Sequence, residues 1–155
     1  MDSYSTLKLV HVVSSTLLFG TGLGTAFYMW RAHRSAVPAV IAVVARNMVL
    51  ADWLFTAPMV IVQPLTGFWL MSVMGYSFTL PWLSLSLLLY GIACVCWLPV
   101  VYIQIKLRNL AQQAAAAGTE LPPMYYGLMR YWFLLGWVAF AAVLYIFYLM
   151  VFRPV

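Results

Sequence analysis

The stretch that decides the fold is WLSLSLLLYGIACVCWLPVVYIQ, residues 82–104, which runs for 23 positions without an acid or a base. A bilayer core of about 30 Å takes roughly 20 helical residues to cross. Backbone amides and carbonyls find no water in lipid, so such a segment must satisfy them internally as a helix. Working outward, three further apolar stretches of similar length run from about Leu7 to Trp30, Met48 to Val73 and Tyr131 to Phe152. The chain of 155 residues is 66% hydrophobic and only 7% charged. It reads as one domain, residues 1–155: an all-α membrane protein, a four-transmembrane-helix bundle with essentially no water-soluble part.

The net charge of +5 does not point to nucleic acid. Its cations sit at segment ends rather than on one basic face with interleaved aromatics. They report orientation instead. Arg31, Arg34, Arg46, Lys106, Arg108 and Arg130 fall on one side, and Lys8 and Arg153 on the other. The positive-inside rule then predicts both termini in the periplasm, in a multi-pass protein of the bacterial inner membrane. The first segment has no basic leader, is too long for a signal-peptide core and lacks an A-x-A cleavage pattern, so it is expected to remain as a span. Cys94 and Cys96 project about 200° apart on a helix and read as packing residues, not as a bridge.

Segment ends carry recognisable stops. Arg31, His33 and Arg34 close the first span at the interface, Pro38 can open the second helix, and residues 75–81 supply an uncharged turn. Beyond Gln104 the run with Lys106, Arg108, Asn109 and the alanines favours helix but is too polar for lipid. Gly118 and Pro122-Pro123 then stop it, and the fourth helix restarts near Met124. The third and fourth helices are therefore expected to extend into the cytoplasm. Pro58 and Pro64 should bend the second helix and free carbonyls that neighbouring helices must satisfy. Gly20, Gly22 and Gly24 indicate either close helix packing or a flat surface for a planar group.

Two ionisable residues at membrane depth require a partner, His11 and Asp52. His11 heads a stripe of small side chains with Ser14, Ser15, Gly22 and Thr25 on one face of the first helix. It is expected either to hydrogen-bond a neighbouring helix or to serve as an axial ligand of haem iron. Antiparallel packing puts Thr66 and Gly67 at its depth, along with Met71, Ser84, Ser86, Tyr145 and Tyr148, and no second histidine. Asp52 is expected to form an ion pair with Arg31, Arg46 or Arg130 near the cytoplasmic boundary or to be a hydrogen-bonded carboxylate, the other reading being a proton-handling or substrate-binding role. His33 reads as a surface histidine. P-loop, serine-hydrolase, zincin and C-x-x-C motifs are absent, and Asp2, Asp52 and Glu120 are the only acids.

Leu7-Lys8-x-x-His11, the following glycines, Pro58, Thr66-Gly67 and the closing Arg153-Pro154 give the chain a resemblance that covers its whole length. It resembles a family of bacterial predicted integral membrane proteins defined by a domain of unknown function and, more distantly, the HemJ-type protoporphyrinogen oxidases. The second resemblance implies haem b held through His11 and a basic residue, here Arg46, before the second span. That family also carries a lysine within a W-x-H-x-K segment of its third span. Here the segment reads Trp82-Leu83-Ser84-Leu85-Ser86, and the lysine is replaced by Ser86.

The expected function is thus a haem b-binding membrane protein with a redox or electron-transfer role, with His11 as axial ligand and Ser14, Ser15, Arg46 and Ser86 around the group. A quinone or porphyrin is the substrate class that fits a site in lipid. Whether the chain is a membrane oxidoreductase stays open at this point. The alternative is a non-enzymatic accessory subunit or assembly factor of a larger membrane complex, or a homo-oligomer. A HemJ-like oxidase and a metal transporter are the third readings.

Overall fold

A computed structural model describes residues 3–154. It contains four long helices, α1 (Ser3–Ser35), α2 (Pro38–Met74), α3 (Pro81–Ala117) and α4 (Pro123–Phe152), each long and apolar enough to cross a membrane. Proline sits in the first turn of the last three, where its missing amide is one that would be unpaired in any case. Two helices end on a left-handed glycine: Gly75 at φ 66° closes α2 and Gly118 at φ 64° closes α3. These are the positions where a side chain would strain the backbone.

All four helices exceed the roughly 20 residues a bilayer requires. The second helix opens at Pro38, as expected, about ten residues ahead of its spanning part. Its first turns, before Met48, bury Ile41, Ala42 and Ala45, while Arg46 stays exposed. Leu107, Ala111 and Ala114 of α3 and Tyr125 and Met129 of α4 close over them, and Met29 and Ala32 of α1 complete the cluster. Small alanines at the crossing points let the backbones approach closely. The best-packed part of the molecule therefore lies at its arginine-bearing end.

Antiparallel α3 and α4 form the most extensive pairing, α2 packs on α3, and α1 runs along α2. The start of α1 and the end of α4 lie away from the arginine-bearing end. Large apolar side chains such as Ile61, Trp69, Val95 and Val151 project outward, as a lipid-facing surface requires.

Near its middle α2 departs from α-geometry: Asp52–Thr56 forms a π turn, ending two residues before Pro58. Six residues after Pro58, Pro64 removes the amide that would bond the carbonyl of Val60. The hydroxyl of Tyr90 on α3 donates to that carbonyl at 2.6 Å, so a neighbouring helix does repair the proline defect. Tyr90→Phe is expected to leave the Val60 carbonyl unpaired in an apolar interior and to cost about 1–3 kcal/mol. A thermal melt of the detergent-solubilised protein should show a transition several degrees lower, and an unchanged melt would refute the account.

Candidate ligand chamber and the His11 cluster

A cavity of about 770 Å³ lies between the helices, bordered by all four of them. On α1 its wall runs from Leu18 to Arg34, about 24 Å at 1.5 Å per residue. Most of the lining is apolar or aromatic. The polar exceptions are spread along its length: Thr25, His33 and Arg34 on α1, Asp52 and Thr56 on α2, Tyr90, Cys94, Trp97 and Gln104 on α3, and Trp132 on α4.

Asp52 is 6% exposed and Gln104 4%. Oδ1 of Asp52 accepts a hydrogen bond from the Thr56 hydroxyl at 2.9 Å, and the Gln104 amide lies beside the same carboxyl. Of the ion pair and the hydrogen-bonded carboxylate expected here, the structure has the second: Thr56, four residues on in the π turn, is the partner, and Arg46 faces outward. Four buried polar atoms of the described residues have no partner: Asp52 Oδ2, Gln104 Oε1, Trp97 Nε1 and Trp132 Nε1. All four belong to residues lining this chamber. An unpaired buried polar group costs about 1–3 kcal/mol; here the four atoms are themselves covered by neighbouring protein atoms, within residues whose other atoms form the chamber wall.

The α1–α4 side of the bundle is loosely closed. Phe19 stacks on Phe140 at 5.1 Å and meets Phe147 at 5.3 Å. Towards the arginine-bearing end His33 packs on Tyr125 and Tyr126, with Nδ1 3.3 Å from the Tyr125 hydroxyl. Between these aromatic contacts Leu23, Phe27 and Trp30 of α1 and Trp137 of α4 line the chamber while remaining exposed. The seam thus faces the lipid. His33, expected at the surface, is half-buried and borders the chamber with Arg34. Gly22 also lines it, and a Cβ built on Gly20, Gly22 or Gly24 meets nothing within 4 Å. Close helix packing is therefore not what these glycines provide, whereas Gly22 leaves a flat wall.

His11 sits elsewhere, on the α1–α2 face. Its Nδ1 is 2.8 Å from Thr66 Oγ1 and its Nε2 3.1 Å from Gln63 Nε2. The Thr66 hydroxyl donates to the carbonyls of Val62 and Gln63, so it accepts from His11, which fixes the tautomer with hydrogen on Nδ1. Nε2 then accepts from the Gln63 amide, whose oxygen accepts from the Ser14 hydroxyl. Gly67 makes room for the ring, since a Cβ there would stand 3.3 Å from His11 Cε1. Both ring nitrogens are thus engaged, and His11 does not line the chamber. As arranged, the cluster does not fit iron ligation without loss of one of these bonds. Of the other expected residues, Ser15 donates to Val12 and Ser86 to Trp82, both backbone carbonyls of their own helices. Only Ser14 is brought to His11.

The family described as "Predicted integral membrane protein (DUF2269)" matches residues 5–154. The chain belongs to this family. No curated protein and no solved structure matches it. For a member of a predicted integral membrane family, the buried polar side chains are the informative ones, and motif and charge patterns do not single out Gln63, Gln104, Trp97 or Trp132. Ala93, Trp97, Val100 and Gln104 repeat at three- and four-residue intervals, one face of α3, and that spacing is the signal the sequence does carry. Among the described residues no three His, Cys, Asp or Glu side chains gather as a metal site.

Proposed function

We propose that this membrane protein admits a lipid-borne small molecule through the α1–α4 seam and holds its polar part at Asp52, Trp97, Gln104 and Trp132. The observation that carries this reading is the chamber itself, about 770 Å³ between the four helices and largely apolar, with Asp52, Trp97, Gln104 and Trp132 in its wall. The exposed aromatics along the seam supply a route from the bilayer that never crosses water. The π turn adds support, because such turns recur at functional sites. In the proposed orientation the protein lies in the bacterial inner membrane, with the arginine-bearing end cytoplasmic and both termini periplasmic. The chamber then opens in the cytoplasmic half of the bilayer.

A haem b protein of redox function, related to the HemJ-type oxidases, is the second reading. Its support is the tautomer of His11: Nδ1–H given to Thr66 is the outer bond that iron-ligating histidines use. Haem would require Nε2 to exchange the Gln63 amide for iron. The group would supply one-electron chemistry, and the part of this chain would be to hold the imidazole neutral and oriented.

Gly22 and Gly136 both line the chamber, with no atom within 4 Å of a built Cβ. Gly22→Trp and Gly136→Trp should therefore fill it with little change in melting temperature. Mass spectrometry of organic extracts should find a small molecule that co-purifies with the wild-type protein and is depleted in both variants; equal recovery would sink the chamber reading. Purified protein carrying haem would show a Soret band that His11→Ala abolishes, whereas a featureless visible spectrum removes the second reading. Alkaline phosphatase fused at either terminus should be active, and fused within residues 109–118 inactive. The reverse pattern would invert the orientation.

A further inference from the structure

Resting on the chamber reading, the two helices that border the seam show which part of the bilayer it opens to. On α1 the lining begins at Leu18, midway along the span from about Leu7 to Trp30, and ends at Arg34. On α4 it covers Trp132 to Val143, about 17 Å at 1.5 Å per residue, which is the arginine-side half of the span from Tyr131 to Phe152. Half of a bilayer's hydrocarbon core is about 15 Å, and one leaflet with its headgroups about 20–22 Å. Along α1 the distance from Leu18 to Arg34 is about 24 Å. The slot between α1 and α4 thus matches a single leaflet, and the stacked rings of Phe19 and Phe140 close it at the midplane.

Both borders of the slot change character at the same end. On α1 Phe27, Trp30 and Arg34 recur at three- and four-residue spacing, a stripe that passes from aromatic to cationic. On α4 Trp137, Phe133 and Arg130 form the matching stripe. His33 sets their relative levels, because its ring meets Tyr126 and Phe133, which stand on either side of Arg130 in the chain. Arg34 and Arg130 are both exposed. Among the described residues the one acid of the chamber wall is Asp52, several turns deeper and already bonded to Thr56. Two guanidinium groups from opposite helices therefore flank the slot where it reaches headgroup depth.

An uncharged occupant, such as a quinone or a diacylglycerol, gives these arginines nothing to bind. A phosphodiester presents oxygens that guanidinium groups recognise well, and its natural depth is that of Arg34 and Arg130. A zwitterionic head would bring its own cation up to the pair, so a net anionic head fits best. We propose that the chamber binds an anionic glycerophospholipid of the cytoplasmic leaflet, its phosphate between Arg34 and Arg130 and one acyl chain in the slot as far as Phe19. The second chain stays in the bilayer outside the seam. The ester linkages lie just below the phosphate, at the level of Trp132, so the polar part that enters the chamber is uncharged.

Native mass spectrometry of the purified full chain, titrated with dioleoyl phosphatidylglycerol, dioleoylglycerol or oleate, tests the assignment. Phosphatidylglycerol should bind tightest. Arg34→Gln and Arg130→Gln should each weaken it about fivefold and leave dioleoylglycerol unchanged. Lys106 stands at the same end of the molecule but lies over Tyr102 on the exposed face of α3, so Lys106→Gln should have no effect. An equal loss there would reduce the arginine effect to general surface charge and overturn the site. Gly22→Trp and Gly136→Trp, which fill the chamber, should abolish phosphatidylglycerol binding, and retention in both would put the lipid outside it and overturn the proposal. If the arginine variants bind phosphatidylglycerol normally, or dioleoylglycerol or oleate binds as tightly, the class is wrong while the chamber reading stands. If no lipid binds and nothing co-purifies with the wild-type protein, both fall.

Discussion

Pro64 deprives the Val60 carbonyl of its helical partner, and a tyrosine from another helix restores it. That single repair displays the constraint under which the rest of the molecule is organised. In lipid a polar atom has no solvent to turn to, so each must be paired within the protein or held ready for something else. His11 meets the condition in full. Thr66 takes its proton, Gln63 fills its lone pair, and Ser14 satisfies Gln63 in turn. A neutral histidine so bonded acts as a clasp between α1 and α2, with Gly67 giving the ring its room. The atoms that escape the condition all belong to residues of the chamber wall, where α1 and α4 stand apart and fewer neighbours are at hand.

The distribution of tight packing supports the same division. At the arginine-bearing end Ala45, Leu107, Ala111 and Tyr125 are sealed from all contact with the surroundings, and helices α2 to α4 hold one another there. Towards the termini the clasp at His11 and the cluster of Met71, Trp82, Leu83 and Leu149 bind the bundle again. Between these two regions α1 and α4 touch through large aromatic side chains rather than through their backbones. A bundle fixed at both ends and parted in the middle can widen its seam by side-chain rotation alone. Such motion is inexpensive compared with sliding a packed helix.

Four apolar runs of spanning length are enough to set the number of helices, and Pro38, Gly75, Gly118 and Pro123 mark their ends. What the first turns of α2 pack against is less legible, because Arg46 looks like the end of an apolar segment. Ile41, Ala42, Ala45 and Met48, at helical spacing, in fact continue an inward face while Arg46 turns out. Asp52 is visible in the sequence as a buried acid, but its partner is not. Proximity to Arg31 and Arg130 in depth says nothing about rotation around the helix, and a π turn alters that rotation. The chamber is invisible in the sequence, since a void depends on how far apart two helices stand. Trp97 and Gln104 become informative only where α1 and α4 are seen to part.

The rotation set by the π turn decides which polar residues belong to which site. In a continuous α-helix the eleven residues from Asp52 to Gln63 turn through about 1,100°, which brings the two within about 20° of each other on one face. Asp52 and Thr56 would then point with Gln63 and Thr66 towards α1, and the acid would join the His11 clasp. The extra residue of a π turn displaces the N-terminal part of the helix by about 100° relative to the C-terminal part. Gln63 and Thr66 keep their place against α1, while Asp52 and Thr56 swing into the chamber beside Gln104. One inserted residue thus separates a saturated structural cluster from an unsaturated one on the same helix. Pro58, just after the turn, holds this register, because its ring does not fit the carbonyl geometry of an uninterrupted α-helix.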